Sequence, residues 1–519
     1  MSVDDSHFWE KTSINVLANV LRTVLTALVG ILLVPFYIES LGMATYGLIP
    51  LATTMTSYIM IISDALVSAC SRYTTVAIQK DDTAEMNRTF NTALFGIGKN
   101  LLLMIPLVLI FSWATPYVFN IDGTAATDVQ WMFLLILMSA VIVTFSSAFN
   151  SIFNAYNKLY QLYLARTIYL LVQIGLIFVL FWGSTPSLVS VGFAYLVSSI
   201  ILFVMVYRMS TGSCPELRID HDGYDSAMFR QMGSLGAWTI VLKIGSLLFI
   251  QISLVITNIC LGADAQSGFA IVTSLISMVN TACYSMVAAV TPLIFKEYSD
   301  DDRDGLIEIS RTAVKCVSLL FAMPIAFVMI YASQILTAWV GADCAYLSGL
   351  VFIAFFAELS FCAVMVLEDI PVVFLKVHLV GISTVIFGIM NVIMALISVT
   401  FTDLGTDGVM IAWTVAILSM NVFLAIFNAR LTGTSWYRYL VPILEGYILM
   451  GVCATIFRAI SGMFVLRGAW IPILIFFLVS FAIYFLIMMF FVNREERALI
   501  CRMMPDFVTR HLPKFIRGE

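Results

Sequence analysis

Residues 14–38 read INVLANVLRTVLTALVGILLVPFYI, twenty-five positions with a single formal charge, Arg22. A helix of about 20 mostly apolar residues crosses the hydrocarbon core of a bilayer, so this stretch predicts a membrane span. Asp4, Asp5 and Glu10 precede it. It outruns the apolar stretch of a secretory leader and shows no small-x-small cleavage site, so it is expected to remain in the chain. The same measure finds thirteen more spans, at 45–72, 90–113, 130–153, 160–182, 187–208, 232–259, 266–294, 313–338, 346–368, 376–399, 407–429, 439–460 and 468–492. Composition agrees: 61% of the 519 residues are hydrophobic, 11% are charged, and mean hydropathy is +0.99. A soluble domain carries about 25% charged residues. Continuous apolar runs, rather than short alternating ones, point to helices and not a transmembrane barrel.

Lysine and arginine set the expected topology. With the N-terminus on the cytoplasmic side, 22 of the 27 fall on that side or at its helix edges. Arg458 and Arg467 fall outside, and Arg22, Lys99 and Lys243 fall within the membrane. The first six outer loops contain no basic residue, as the positive-inside rule requires. The expectation is a multi-pass protein of the cytoplasmic (inner) cell membrane with both termini cytoplasmic. The segment Asn493 to Glu519 carries six basic residues with Ile500, Met503, Phe507, Leu512 and Phe515, and reads as an amphipathic segment on anionic lipid.

The chain repeats at about 220 residues. Leu41-Gly42 with Gly47 recurs as Leu261-Gly262 with Gly268, and Arg88-Thr89 as Arg311-Thr312. Lys158 recurs as Lys376, Gln173 as Asn391, and Ala194-Tyr195 as Ala412-Trp413. The fold class is therefore an all-α polytopic membrane protein of about 14 transmembrane helices, with two six-helix lobes related by an internal repeat plus two extra C-terminal helices. The corresponding segments are 1–231, 232–432, 433–492 and the tail 493–519. Parallel repeats of this kind build transporters.

An ionisable residue at mid-membrane costs about 2.5–3.5 kcal/mol on insertion scales and needs a reason. Arg22 and Lys243 lie deep in the first span of each half, 221 residues apart, and are candidates for a central cavity. Asp64 in the second span matches Arg22 in depth and could pair with it. Tyr284 and Ser285 stand at the corresponding place in the eighth span, so Lys243 has no such acid, and Glu358 is its one acidic candidate by depth. Arg72, two turns below Asp64, reads as a snorkelling residue or part of a cytoplasmic mouth, and Lys99 as a second snorkelling cation. Glu358 in the tenth span is a candidate for ion coupling or a buried hydrogen-bonded acid. The nine cysteines and four histidines are scattered with no metal-ligand spacing, and no Walker A motif occurs. No metal, cofactor or nucleic-acid partner is expected.

Val34-Pro35-Phe36-Tyr37, then Leu41-Gly42 and Tyr46-Gly47, then Asp64 and Arg72 resemble the polysaccharide-biosynthesis flippases of the multidrug/oligosaccharidyl-lipid/polysaccharide exporter superfamily. The family pattern has Gly soon after the second-helix Asp, whereas Ala65-Leu66 follows here. The resemblance implies a non-enzymatic exporter that flips a polyprenyl-diphosphate-linked oligosaccharide, such as an O-antigen unit, by alternating access. Arg22 and Lys243 would receive the diphosphate and acidic sugars. Its partners would be that lipid-linked substrate, membrane lipids, and glycosyltransferases or a polymerase of the same pathway. A cation-coupled drug or metabolite antiporter of the same superfamily stays open as an alternative. So do a membrane-embedded glycosyltransferase or polymerase, against which the short outer loops argue, and an assembly scaffold.

Overall fold

The computed structural model of the protein describes residues 5–121, 123–461, 469–493 and 496–497. Every regular element among them is helical: α1 (Asp5–Leu41), α2 (Met43–Gln79), α3 (Thr83–Val118), α4 (Ala126–Ser146), α5 (Asn150–Ala155), α6 (Leu159–Gly183), α7 (Leu188–Ser213), α8 (Ser226–Leu247), α9 (Ile250–Leu261), α10 (Ala263–Ser299), α11 (Arg303–Ile330), α12 (Ala332–Val340), α13 (Ser348–Met365), α14 (Asp369–Val373), α15 (Val377–Phe401), α16 (Gly405–Thr432), α17 (Tyr437–Ile460) and α18 (Trp470–Phe491). Thirteen spans among the described residues are long and apolar enough to cross a membrane, and bent α2 makes fourteen. The amphipathic tail expected beyond Asn493 lies outside the described residues, apart from Glu496 and Arg497.

The repeat is visible in the backbone. Asp81 and Asp301, 220 residues apart, both take the left-handed conformation, as do Asn157 and Leu375, 218 apart. Gly42 and Gly262 have φ of 83° and 94°. Each alone separates two helices, α1 from α2 and α9 from α10, and only glycine takes that conformation without steric cost. Asp82 and Asp302 follow the first left-handed pair and cap α3 and α11, accepting from the N–H of Glu85 and of Gly305, each at 2.9 Å. Single 3₁₀ turns at 147–149 and 366–368 interrupt the fourth and tenth spans at matching places.

The chain divides into two compact units, Met1–Leu247 with Leu254–Ser267, and Leu248–Ser253 with Gly268–Glu519. In the first, Asn15 of α1 locks onto the turn before α6. Its amide donates to Asn157 Oδ1 at 2.7 Å, and its own Oδ1 accepts from the Tyr160 N–H at 2.7 Å. The segment between α7 and α8 is strapped along α3. Asn87 and Asn91, one turn apart, each act as a backbone mimic. Asn87 donates to Glu216 O (3.0 Å) and accepts from Arg218 N (2.7 Å), while Asn91 donates to Arg218 O (2.8 Å) and accepts from Asp220 N (3.2 Å). Thr92 Oγ1 accepts from Asp225 N at 3.1 Å, and Arg88 pairs with the Asp225 carboxylate. Lys99 is not simply snorkelling: its ammonium lies 4.1 Å from the Tyr224 ring centroid of the same strap.

Arg88, followed by the N–H groups of Met228 and Ala227, holds the Asp225 carboxyl below the usual carboxylate range. A lowered folded value means that the pairing contributes above the unfolded value and is lost as pH falls through the lowered one. Limited proteolysis of residues 214–225 is therefore expected to stay slow through the ordinary carboxylate range and to quicken only below it. In Asp225→Asn, cleavage is expected to be faster already at neutral pH.

In the second unit α11 and α13 are the most buried spans. The span expected at 232–259 is broken: α8 ends at Leu247 and α9 begins at Ile250. Asn391 of α15 receives the freed Leu248 carbonyl, donating to it at 2.8 Å, and also reaches Ser253 Oγ at 3.0 Å and Phe249 O at 3.2 Å, the latter already accepting from Ser253 N–H and Oγ. Leaving a buried acceptor unsatisfied costs about 1–3 kcal/mol. Asn391→Leu should lose about that much, measured as a lower unfolding midpoint in detergent.

The two appended helices dock on α11. Gly446 of α17 presses on Ser318, where a Cβ would come within 1.9 Å of its Oγ. Tyr484 of α18 donates to Leu319 O, and Phe327 stacks among Phe457, Phe476 and Phe477. Lys315, 7% exposed, donates to both oxygens of Glu496, 6% exposed, at 3.1 and 3.0 Å. Glu445 of α17, more open to its surroundings, lies 3.7 Å from the same ammonium.

Candidate translocation site

Arg22 projects from α1 toward α6. Asn19, one turn earlier, accepts from its Nη2 at 3.3 Å, and the guanidinium carbon lies 5.6 Å from the Tyr163 ring centroid. A cation over an aromatic face gains about 0.5–2 kcal/mol depending on desolvation, which offsets part of the insertion cost. Its Nε is buried with no hydrogen-bond partner among the described residues. The side chain is half-buried, so the fork keeps donors for a ligand.

Asp64, the suggested partner, falls where α2 bends by 47° between Met43–Ile61 and Leu66–Gln79. Its side chain lies outside the described residues. Arg72 is exposed on the second arm of that bend. It does not end the helix, since α2 runs on to Gln79. Lys243 is exposed on α8, five residues before the break at Leu248–Phe249, and its carbonyl accepts from Ser246 Oγ at 2.8 Å. Glu358 on α13 is fully buried: Cys362 Sγ lies 3.9 Å from its Oε1, and its Oε2 has no hydrogen-bond partner among the described residues. The structure thus sets Arg22 beside α6 and places Arg72, Lys243 and Glu358 each on another element.

Two cations inside helices were not singled out in the sequence. Lys315 lies in the buried pairing with Glu496. Arg166 sits one turn beyond Tyr163 on α6 and lines a cavity of about 110 Å³ within the first unit. Ser63 of α2, Thr144 and Ser147 at the end of α4, and Asn150 of α5 share its wall, together with apolar side chains. A guanidinium with hydroxyls and an amide can hold an anion or water, but not a hydrocarbon group alone.

A family described as polysaccharide biosynthesis protein matches residues 13–297, more than half of the chain. EpsK of Bacillus subtilis (strain 168), described as an uncharacterized membrane protein, is 25% identical over 497 residues, covering 95% of this chain and 98% of its own. Among solved structures, the lipid II flippase MurJ in an inward closed conformation matches with a TM-score of 0.68 at 14% identity, over 90% of this chain and 98% of MurJ. An inward-facing multidrug resistance MATE family transporter of the MOP superfamily matches with a TM-score of 0.63 at 16% identity, over 84% of this chain and 96% of its own. At these identities the two structures establish the fold, which is MATE- and MurJ-like.

Proposed function

The chain belongs to the polysaccharide biosynthesis protein family, and from that premise we propose that it flips a polyprenyl-diphosphate-linked oligosaccharide across the cytoplasmic membrane by alternating access. The observation that carries this reading is Arg22, a guanidinium half-buried in an apolar span with a buried Nε that finds no partner among the described residues. A diphosphate with several sugars cannot enter hydrocarbon unaided. It needs fixed cations at depth, while its polyprenyl tail stays in lipid. Arg22 and Lys243 supply such cations, and Arg72 stands nearer the mouth. In this reading the lobes are 1–231 and 232–432, both termini are cytoplasmic, and MurJ, a lipid II flippase, shares the fold.

The antiporter reading draws on one observation, the buried and under-partnered Glu358. The same carboxyl serves the flippase as the site where a proton or Na⁺ couples to transport. Deleting the gene separates the two readings. The flippase reading expects surface glycan to disappear while lipid-linked repeat units accumulate on the inner leaflet, with drug sensitivity unchanged. Normal surface glycan together with heightened drug sensitivity would replace it by the antiporter.

A further inference from the structure

The cavity beside Arg166 holds neither Arg22 nor Lys243 in its wall, and that wall is not that of a packing defect. Engineered apolar cavities stay dry, whereas this one is faced by Arg166, Ser63, Thr144, Ser147 and Asn150. Thr144 is 2% exposed, yet its Oγ1 has no hydrogen-bond partner among the described residues. A buried hydroxyl without a partner costs free energy, and Thr144 is among the residues that line the cavity. Ser147 Oγ, by contrast, donates to Thr144 O at 2.6 Å and so offers lone pairs rather than a proton.

We propose that this cavity is an oxyanion subsite, sized for one phosphate group, with Arg166 as the charged anchor and Thr144 as a hydroxyl donor. The volume of about 110 Å³ corresponds to roughly three or four waters at ~30 Å³ each. That is room for a phosphate group. Arginine suits the task because its planar fork meets two phosphate oxygens at once. With five N–H donors, a guanidinium can hold a protein partner and an anion together. Arg166 follows Tyr163 by one turn, and Tyr163 carries the Arg22 guanidinium on its face. A phosphate at Arg166 would therefore lie close to the cation assigned to the substrate's diphosphate. The source of the phosphate, a carrier headgroup, rests on the flippase reading. The site itself does not.

The test is ligand binding to the purified full chain in detergent, read as a thermal shift with a thiol-reactive dye that reports the buried cysteines on unfolding. The probes are inorganic phosphate and farnesyl diphosphate. Farnesyl diphosphate is expected to stabilise the wild type. Arg166→Gln and Thr144→Val should each weaken its affinity, the former by roughly tenfold or more, as expected for a lost charge-assisted hydrogen bond. Arg166→Lys should retain part of it, and Arg88→Gln, outside the cavity, should leave the affinity for farnesyl diphosphate unchanged whatever it does to the unliganded midpoint. Stabilisation by both probes assigns the site to the free oxyanion and the headgroup alike, and stabilisation by farnesyl diphosphate alone assigns it to the headgroup. Should Arg166→Gln fail to fold, the near-isosteric Thr144→Val decides. The proposal is overturned if neither probe binds, or if the folded variants bind as the wild type does. A chain that flips no glycan but still loses phosphate affinity on Arg166→Gln overturns the flippase reading and leaves the subsite standing.

Discussion

Replacing Arg22 by alanine is expected to cut glycan export by roughly ten- to a hundredfold, with protein amount and monodispersity unchanged. The magnitude follows from the interaction removed. A hydrogen bond to a charged group contributes about 1.5–3 kcal/mol, and each 1.4 kcal/mol is a factor of ten. Fold stability should be little affected, because the Arg22 side chain meets the described structure through only one 3.3 Å hydrogen bond within its own helix and a ring face. Arg22→Lys restores the charge but not the fork, and intermediate output is expected from it. Lys243→Ala should also reduce export. Its ammonium is exposed and offers a point charge rather than a bidentate grip. The measurement is surface glycan per molecule of transporter, and wild-type output from both well-expressed alanine variants would end the cationic-cavity account.

Lys315→Met is expected to lower stability by about 3–5 kcal/mol, the cost of stranding one member of a buried ion pair. Glu496 would be left 6% exposed with its two ammonium contacts gone, keeping among the described residues the Asn493 N–H at 2.9 Å. Glu445 adds little, because an ion pair at 3.7 Å with a 42% exposed partner is mostly screened. The double variant Lys315→Met/Glu496→Gln should recover most of the loss, since no buried charge then remains. Unfolding midpoints in detergent measure both. An unchanged midpoint in the single variant would show that α18 does not depend on this pair for its docking on α11.

The spans and the repeat were legible in the sequence because both rest on local chemistry. Twenty apolar residues in a row have one good solution in lipid, and Leu41-Gly42 and Leu261-Gly262 mark helix junctions that only glycine joins so tightly. The break after Leu247 was not legible. Neither Leu248 nor Phe249 is proline or glycine, and what receives the freed Leu248 carbonyl is the amide of Asn391, 143 residues away. Lys315 was hidden for a related reason. The apolar run begins near residue 313 but the helix begins at Arg303, so a residue that reads as a helix edge lies twelve positions along α11. Arg166 was not singled out, and it falls among the 22 basic residues assigned to the cytoplasmic side or its helix edges. Only the placement of α2, α4 and α5 around it reveals a cavity. Arg22 and Lys243 were legible as cations out of place. Tyr163, which meets the first of them, is an ordinary interfacial tyrosine until α1 is laid against α6.

The central claim, movement of a lipid-linked glycan, is tested most directly by reconstituting the purified protein in sealed vesicles. These would carry an NBD-labelled polyprenyl-diphosphate disaccharide in both leaflets. An impermeant reductant added outside bleaches only outer-leaflet label unless the inner pool is flipped. The account predicts that wild-type vesicles lose the inner-leaflet fluorescence as well, and that vesicles with the Arg22→Ala/Lys243→Ala variant retain it. Wild-type vesicles that bleach no further than protein-free ones would contradict the account.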